Sequence, residues 1–152
     1  MDGSTLGNLG PSGGGGICRD PAGSFLFAFS HAYGTGTNNR AELRALYDVM
    51  VLSANFGYDQ ILLESDLKCV ADIFNGRSSP TWRWRYWWTR ISSLKSRCTF
   101  SFSLIPREGN GPADGLAKAG AMSQIDTVYD NVNALPNYIR GLYRVPVLLG
   151  CI

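Results

Sequence analysis

Histidine is almost missing from this chain: His31 stands alone among 152 residues, and the four cysteines (Cys18, Cys69, Cys98, Cys151) are scattered without a CxxC pair. Zinc needs clustered thiolate or imidazole ligands, so a zinc centre is not expected and reduced thiols are. No apolar run approaches the roughly 20 residues of a spanning helix, so no membrane partner is expected. The opening carries no basic apolar leader, which points to an intracellular protein of the nucleus or cytoplasm. Acidic residues are absent from Ile73 to Arg107, a stretch that holds seven basic ones, although the net charge of the whole chain is only +2. A basic face beside acids gathered elsewhere suits a polyanion handled with the help of metal ions; a solvated helix face is the plainer alternative.

What is present describes one ordinary globular domain. The apolar share is 45% and the charged share 17%, and the length is enough to bury a core. Seven of the first sixteen residues are glycine, which predicts turns or bends. A hairpin follows, turning at Asp20–Gly23, with Phe25, Phe27 and Phe29 alternating onto one face. From Thr37 or Asn38 the period becomes helical, with Leu43, Leu46, Tyr47, Met50 and Ala54 in register and Gly57 as the stop. Ile61–Leu63 reads as a buried strand, followed by a helix with Val70, Ile73 and Phe74 inward and closed by Gly76. After Pro80 a third helix carries Trp82, Trp84, Trp87 and Trp88, most of them at core spacing, which leaves Arg83, Arg85 and Arg90 outward. Thr99–Ile105 is a strand, and Pro112 opens a helix containing Asp114. Strands first and then alternating helices and strands predict an α/β fold, a mixed sheet flanked by helices. The domain is placed at 1–122, with 123–152 as a tail to which the pattern assigns no element.

Four carboxylates occupy strand ends and helix starts, where sites gather: Asp2 before the glycine-rich stretch, Glu42 in the first turns of the first helix, Asp66 after the buried strand, and Asp114 in the first turn of the last helix. Singly, each has a plain reading as a turn, cap or helix-start residue.

Together with their neighbours they match a pattern. Asp2-Gly-Ser, Thr37-Asn-Asn-Arg-Ala-Glu-Leu43, Glu64-Ser-Asp66 and Asn110-Gly-Pro-Ala-Asp-Gly-Leu-Ala117 closely resemble type 1 ribonuclease H, in particular its plant, reverse-transcriptase-related branch. The Ile105-Pro-Arg-Glu-Gly-Asn-Gly-Pro-Ala-Asp114 stretch is similar to that branch too, and the likeness runs from Asp2 to about Ala121. It implies a ribonuclease-H-like fold: a five-stranded sheet of three antiparallel strands and then parallel ones, with Asp2 beside Asp66 on a parallel neighbour. It implies that Asp2, Glu42, Asp66 and Asp114 are catalytic and hold two Mg²⁺ ions, with Mn²⁺ as substitute. Crowded carboxylates repel, and hard oxygen ligands suit such ions, which in two-metal sites lie roughly 3.5–4 Å apart. The implied reaction is hydrolysis of the RNA strand of an RNA–DNA hybrid, leaving 5′-phosphate and 3′-hydroxyl ends. Asn38 and Asn39 are implied minor-groove contacts, where the 2′-hydroxyl marks RNA. Asn110 is expected beside the site, hydrogen-bonding near the last ligand or capping its helix, and is counted with Arg107 among the nucleic-acid contacts; Arg83 and Arg85 are expected as phosphate contacts.

The chain departs from the family in two places. The loop before the last Asp reads Arg107-Glu-Gly109, where many type 1 enzymes carry a His; Glu108 is a candidate transient ligand, and His31 reads as an ordinary surface residue. The Asp matching Asp2 lies well inside the family's first strand, whereas here only Met1 precedes it. That implies a shortened central strand beside unpaired backbone, covered by the apolar end Tyr143–Ile152 or by a partner strand; the oligomeric state stays open, a homodimer included. Two alternatives to the ribonuclease remain: a nucleic-acid-binding module with weak or no cleavage, and a domesticated retroelement fragment acting through protein partners.

Overall fold

The computed structural model describes residues 1–6 and 9–144. Among these, no helix is long and apolar enough to cross a membrane. Strand β1 (Asp2–Thr5) pairs antiparallel with β2 (Gly10–Arg19), and β2 with β3 (Phe25–Gly36). Helix α1 (Asn38–Asn55) leads to β4 (Gln60–Ser65), and α2 (Lys68–Phe74) follows. A 3-10 turn at Trp82–Trp84 runs into α3 (Arg85–Lys95), then come β5 (Thr99–Leu104), a 3-10 turn at Arg107–Asn110, and α4 (Gly111–Ser123). A short β6 (Thr127–Tyr129) and α5 (Asn137–Arg144) complete the chain as described.

The helices sandwich the sheet. On one face α1, α2 and α3 bury Leu43, Leu46, Met50, Val70, Phe74 and Ile91 against Phe29, Ile61, Leu63 and Phe102. On the other, Leu116 of α4 and Ile139 of α5 pack with Ala28 and Leu135. At about 25 cal/mol per Å² of apolar surface, each such side chain adds roughly 1.5–3 kcal/mol.

The strands depart from the expected single five-stranded sheet. They form two ladders, β1-β2-β3-β6 and the parallel pair β4-β5. A bond from Met1 N to the Glu64 carbonyl, 3.0 Å, joins them. The physical reason is the length of β1, whose four residues reach β4 only at their start. A sixth strand, β6, comes from the segment to which the sequence assigned nothing and pairs antiparallel with β3.

The glycine run is a second correction. Gly13–Gly16 do not turn; they form the buried middle of β2. A Cβ on Gly15 would lie 2.5 Å from Ala117 N and from Leu116 Cβ, so only a bare backbone lets α4 press onto the strand. Packing overrides the poor strand propensity of glycine. The aromatic alternation also breaks. Phe29 and Phe27 lie toward α1, Phe27 stacking on Phe56 at 4.5 Å. Phe25 packs instead with Ala28 and Leu116 on the opposite face, because a bulge at Cys18/Arg19 inserts a residue and flips the register.

Candidate active site

Close approach between backbones assembles the cleft. A Cβ on Gly3 would sit 2.2 Å from Ala41 C and 2.3 Å from Glu42 N. Glycine there lets the second turn of α1 touch β1 and sets Glu42 beside Asp2. Gly15 does the same for α4, which brings Asp114 to the same end of the sheet. Asp66 follows β4 directly. Its position is fixed by Asn110, whose Nδ2 donates both to Asp66 Oδ1 (3.0 Å) and to the Met1 carbonyl (3.1 Å). One buried amide thus ties together the start of β1, the end of β4 and the start of α4.

All four carboxylates, with Asn38, Asn39, Arg107, Asn110 and Lys118, line one cleft of about 480 Å³. Asp2 and Glu42 are each 7% exposed. Burial, followed by interactions with the Asp114 carboxyl, raises Asp2 to about 7 from an ordinary 3.8. Burial and then the Asp2 charge push Glu42 up to about 10, against a smaller pull from the Gly3 N–H. Glu42 Oε2 is nonetheless buried with no hydrogen-bond partner among the described residues.

An acceptor oxygen without a donor, beside a second buried carboxylate, is the environment a divalent cation satisfies. The donor set, all hard oxygen, fits Mg²⁺ better than a softer-ligand metal. Among the described residues, no three of the His, Cys, Asp and Glu side chains close into a ready cage. Asp114 is engaged instead by Lys118, at 2.7 Å.

A second groove, of about 690 Å³, adjoins the first and shares Asn38 and Asn39 with it. Its other walls are Thr37, Arg40, Trp82, Arg83, Trp84, Tyr86 and Trp87. Trp82 is 75% exposed, while Trp84, Trp87 and Trp88 rest half-buried against the core. The spacing argument that made most of the rings core therefore holds for three of them and not for Trp82. Arg83 lies 5.3 Å from the Trp82 ring centre.

The expected contact residues separate. Asn38, Asn39 and Arg83 face the groove, and Arg107 stands on the rim of the acid cleft. Asn110 lines the acid cleft but is 5% exposed, with its Nδ2 engaged by Asp66 and the Met1 carbonyl. Arg85 is exposed but lines neither cavity, and Glu108 lies outside the acid cleft. Arg90 lies 4.8 Å over the Tyr86 ring. His31 is half-buried and partnered rather than free at the surface; its Nδ1 lies 2.8 Å from Asp48 Oδ2, which also accepts a bond from the Tyr33 hydroxyl at 2.6 Å.

The sequence reading missed Lys118 and Thr5. The i,i+4 spacing from Asp114 was the available signal for the first. Nothing in the sequence marks Thr5, whose Oγ1 is buried in the cleft wall without a partner among the described residues.

Comparison with known proteins follows the same geometry. Residues 1–120 match the reverse-transcriptase-like family. A ribonuclease HI of Halobacterium salinarum is 31% identical over 123 residues, 77% of this chain and 60% of that protein, so the chain spans well under two thirds of that relative. Among solved structures, ribonuclease H1 from the halophilic archaeon Halobacterium salinarum superimposes with a TM-score of 0.76 at 29% identity, over 80% of this chain and 94% of that one. The N-terminal RNase H domain of Rv2228c from Mycobacterium tuberculosis gives 0.74 at 27%, over 79% and 94%. LC11-RNase H1 in complex with an RNA/DNA hybrid gives 0.76 at 26%, over 81% and 94%.

Proposed function

The chain belongs to the reverse-transcriptase-like family and has the ribonuclease H fold, and from that premise we propose that it is a divalent-metal-dependent endoribonuclease acting on the RNA strand of RNA–DNA hybrids. The observation that carries the reading is the buried Asp2–Glu42 pair with its unpartnered Glu42 Oε2, opening through Asn38 and Asn39 into a basic, aromatic groove. A module that only binds a polyanion gains nothing from buried carboxylates, which repel phosphate.

Asp2, Glu42, Asp66 and Asp114 would hold two Mg²⁺ ions, with Mn²⁺ able to replace them. When bound, such ions supply an activated water and stabilise the leaving 3′-oxygen. The chain's own residues do the rest. Asn110 fixes Asp66, so that a carboxylate at the end of a strand keeps one orientation. Lys118 balances Asp114 at 2.7 Å and is itself half exposed, so a second cation at that carboxylate would not leave it buried. Arg107 on the rim offers a fork of donors to a phosphate. Asn38 and Asn39, exposed between the two cavities, are placed for the minor-groove edge where 2′-hydroxyls lie. The groove walls take the rest of the duplex, Trp82 as a flat apolar contact and Arg83 as a phosphate contact.

The test is an end-labelled hybrid incubated with the protein and Mg²⁺ beside the Asp66→Asn variant. Metal-dependent cleavage of the RNA strand, lost in the variant, is the expected result. Cleavage in excess chelator would end the metal reading.

The Asp114–Lys118 pair favours a second reading, because it partly neutralises one member of the acid set. On that reading the fold binds hybrids and cleaves weakly or not at all. Equal, tight hybrid binding by both proteins without cleavage would select it.

A further inference from the structure

Helix α3 supplies part of the aromatic groove's wall through Tyr86 and Trp87, yet its own anchorage is slight. Of its 11 residues only Ile91 is buried. The remaining ties are rings and cations. Trp87 meets Tyr47 of α1 at 5.5 Å between ring centres, and near the other end of the helix Lys95 donates to the Phe74 carbonyl at 3.0 Å. At the groove end a further tie is Arg44 of α1. Its guanidinium carbon lies 4.3 Å from the Tyr33 ring centre and 5.4 Å from that of Trp87, within the roughly 6 Å at which such contacts attract. Tyr33 belongs to β3 and Trp87 to α3, so one guanidinium joins a strand and two helices. Asp48 stands one turn further along α1, at the spacing of a helical ion pair. That pair does not form. Asp48 Oδ2 accepts the Tyr33 hydroxyl at 2.6 Å and lies 2.8 Å from His31 Nδ1, and among the described residues no carboxylate pairs with Arg44. Tyr33 and His31 thus engage the carboxylate and leave the guanidinium to the rings.

We propose that Arg44 is a positioning residue of the aromatic groove: it holds Trp87, and with it the start of α3, at the separation from Asn38–Arg40 that a nucleic-acid strand requires. This role rests on the nucleic-acid reading of the groove. Arg44 is not a wall of the groove; it lines the small cavity behind it, with Arg40, Tyr33 and Trp87. It therefore acts through Trp87 and not on the strand itself. Trp87 lines both cavities, so a displacement of its ring on the Arg44 side is a displacement of the groove wall. The choice of side chain matters as well as its charge. A guanidinium is flat and stacks on aromatic faces, whereas an ammonium is a compact, strongly hydrated point charge. The apolar end expected from the sequence to cover β1, residues 145–152, lies outside the described residues, and the clamp uses none of it.

The test compares Arg44→Lys and Arg44→Ala with the unaltered protein, the first keeping the charge and losing the flat face. Both should bind an RNA–DNA hybrid about fivefold more weakly, the scale of a partly exposed cation–aromatic contact. The slope of log affinity against log salt should stay as it is in the unaltered protein. Without nucleic acid, nuclear Overhauser contacts between the Trp87 and Tyr47 rings should weaken in both variants. Those between Phe74 and Trp88, 6.4 Å apart at their centres, should persist and show that the fold is intact. A direct phosphate contact gives another pattern: Arg44→Lys binds as the unaltered protein does, and Arg44→Ala loses about one unit of slope. That pattern overturns the proposal, and so does an unchanged Trp87–Tyr47 contact or unchanged affinity in both variants. If the unaltered protein binds no hybrid, the nucleic-acid reading and this role fall together; hybrid binding that ignores Arg44 overturns the role alone.

Discussion

The acid cleft and the aromatic groove share Asn38 and Asn39, and they are built under opposite constraints. In the cleft, Asp2 and Glu42 are nearly buried and held away from their charged forms by burial first, then by Asp114 acting on Asp2 and by Asp2 acting on Glu42. In the groove, Trp82 stands three-quarters exposed and Arg83 lies over its ring. One region carries an electrostatic cost that a cation relieves; the other presents flat apolar surface that water leaves readily. Changes in the cleft should therefore alter chemistry and stability together, while changes in the groove should alter binding alone.

The largest effect should follow loss of one carboxylate. Asp66→Asn keeps the shape and the Asn110 contact but removes a charge, and it should lower hybrid cleavage by at least about 10²–10³-fold, the scale of removing one preorganised electrostatic contact. Hybrid affinity should change little. A variant that cleaves at a tenth of the normal rate or better, on about the same scale, would place the acid cleft outside the chemistry.

The next prediction concerns pH and metal. Asp2 titrates near 7 in the fold against an ordinary 3.8, so between those values the folded state binds more protons than the unfolded one. Stability then falls as pH rises through that window, by up to about 1.4 kcal/mol per pH unit for one group. Glu42, raised to about 10, extends the fall upward. Thermal melts in chelator should show Tm dropping from about pH 5 to about pH 8, with Mg²⁺ restoring more at the higher pH. The same Mg²⁺ increment at both pH values would mean that the ion does not bind these carboxylates.

Asn110→Ala should come third. Loss of the bond that orients Asp66 should weaken metal dependence about 10–100-fold, the usual scale for a residue that positions a ligand. The half-saturating Mg²⁺ concentration should rise while hybrid affinity at saturating metal stays the same. A fall in hybrid affinity alone would return Asn110 to the nucleic-acid contacts.

How far these regions could be read from the sequence differs for the same physical reason. The carboxylates were legible because strand ends and helix starts are set by local pattern: Asp66 follows Ile61–Leu63, and Asp114 follows Pro112. The helical spacing of α1 likewise announced its buried face, and Gly57 and Gly76, at φ +88 and +75, mark their helix stops. What failed was set by contacts across the fold. Gly13–Gly16 look like turns until α4 is laid against them, and Phe25 changes face only because β2 and β3 slip at Cys18. Asn110 reads as a helix cap or a hydrogen bond near the last ligand; that its amide reaches Asp66 and the Met1 carbonyl depends on β1 and β4 meeting beside it. Arg83 and Arg85, two positions apart, look equivalent in sequence, and only the 3-10 turn before α3 separates them.

That separation gives the smallest and most discriminating effect. Arg83 lines the groove and Arg85, the first residue of α3, does not. Each phosphate contact contributes about one unit to the slope of log affinity against log salt. Arg83→Ala should flatten the slope by about that amount, and Arg85→Ala should leave it within error. Trp82→Ala is the companion: it should weaken hybrid binding at every salt concentration, by about 1–3 kcal/mol if a base or sugar stacks there, without moving the slope. Neither change should shift Tm, since Arg83 is exposed and Trp82 three-quarters so. Equal slopes for the two arginine variants would erase the distinction between groove and solvated helix face, and the hybrid path would then have to run elsewhere on the molecule.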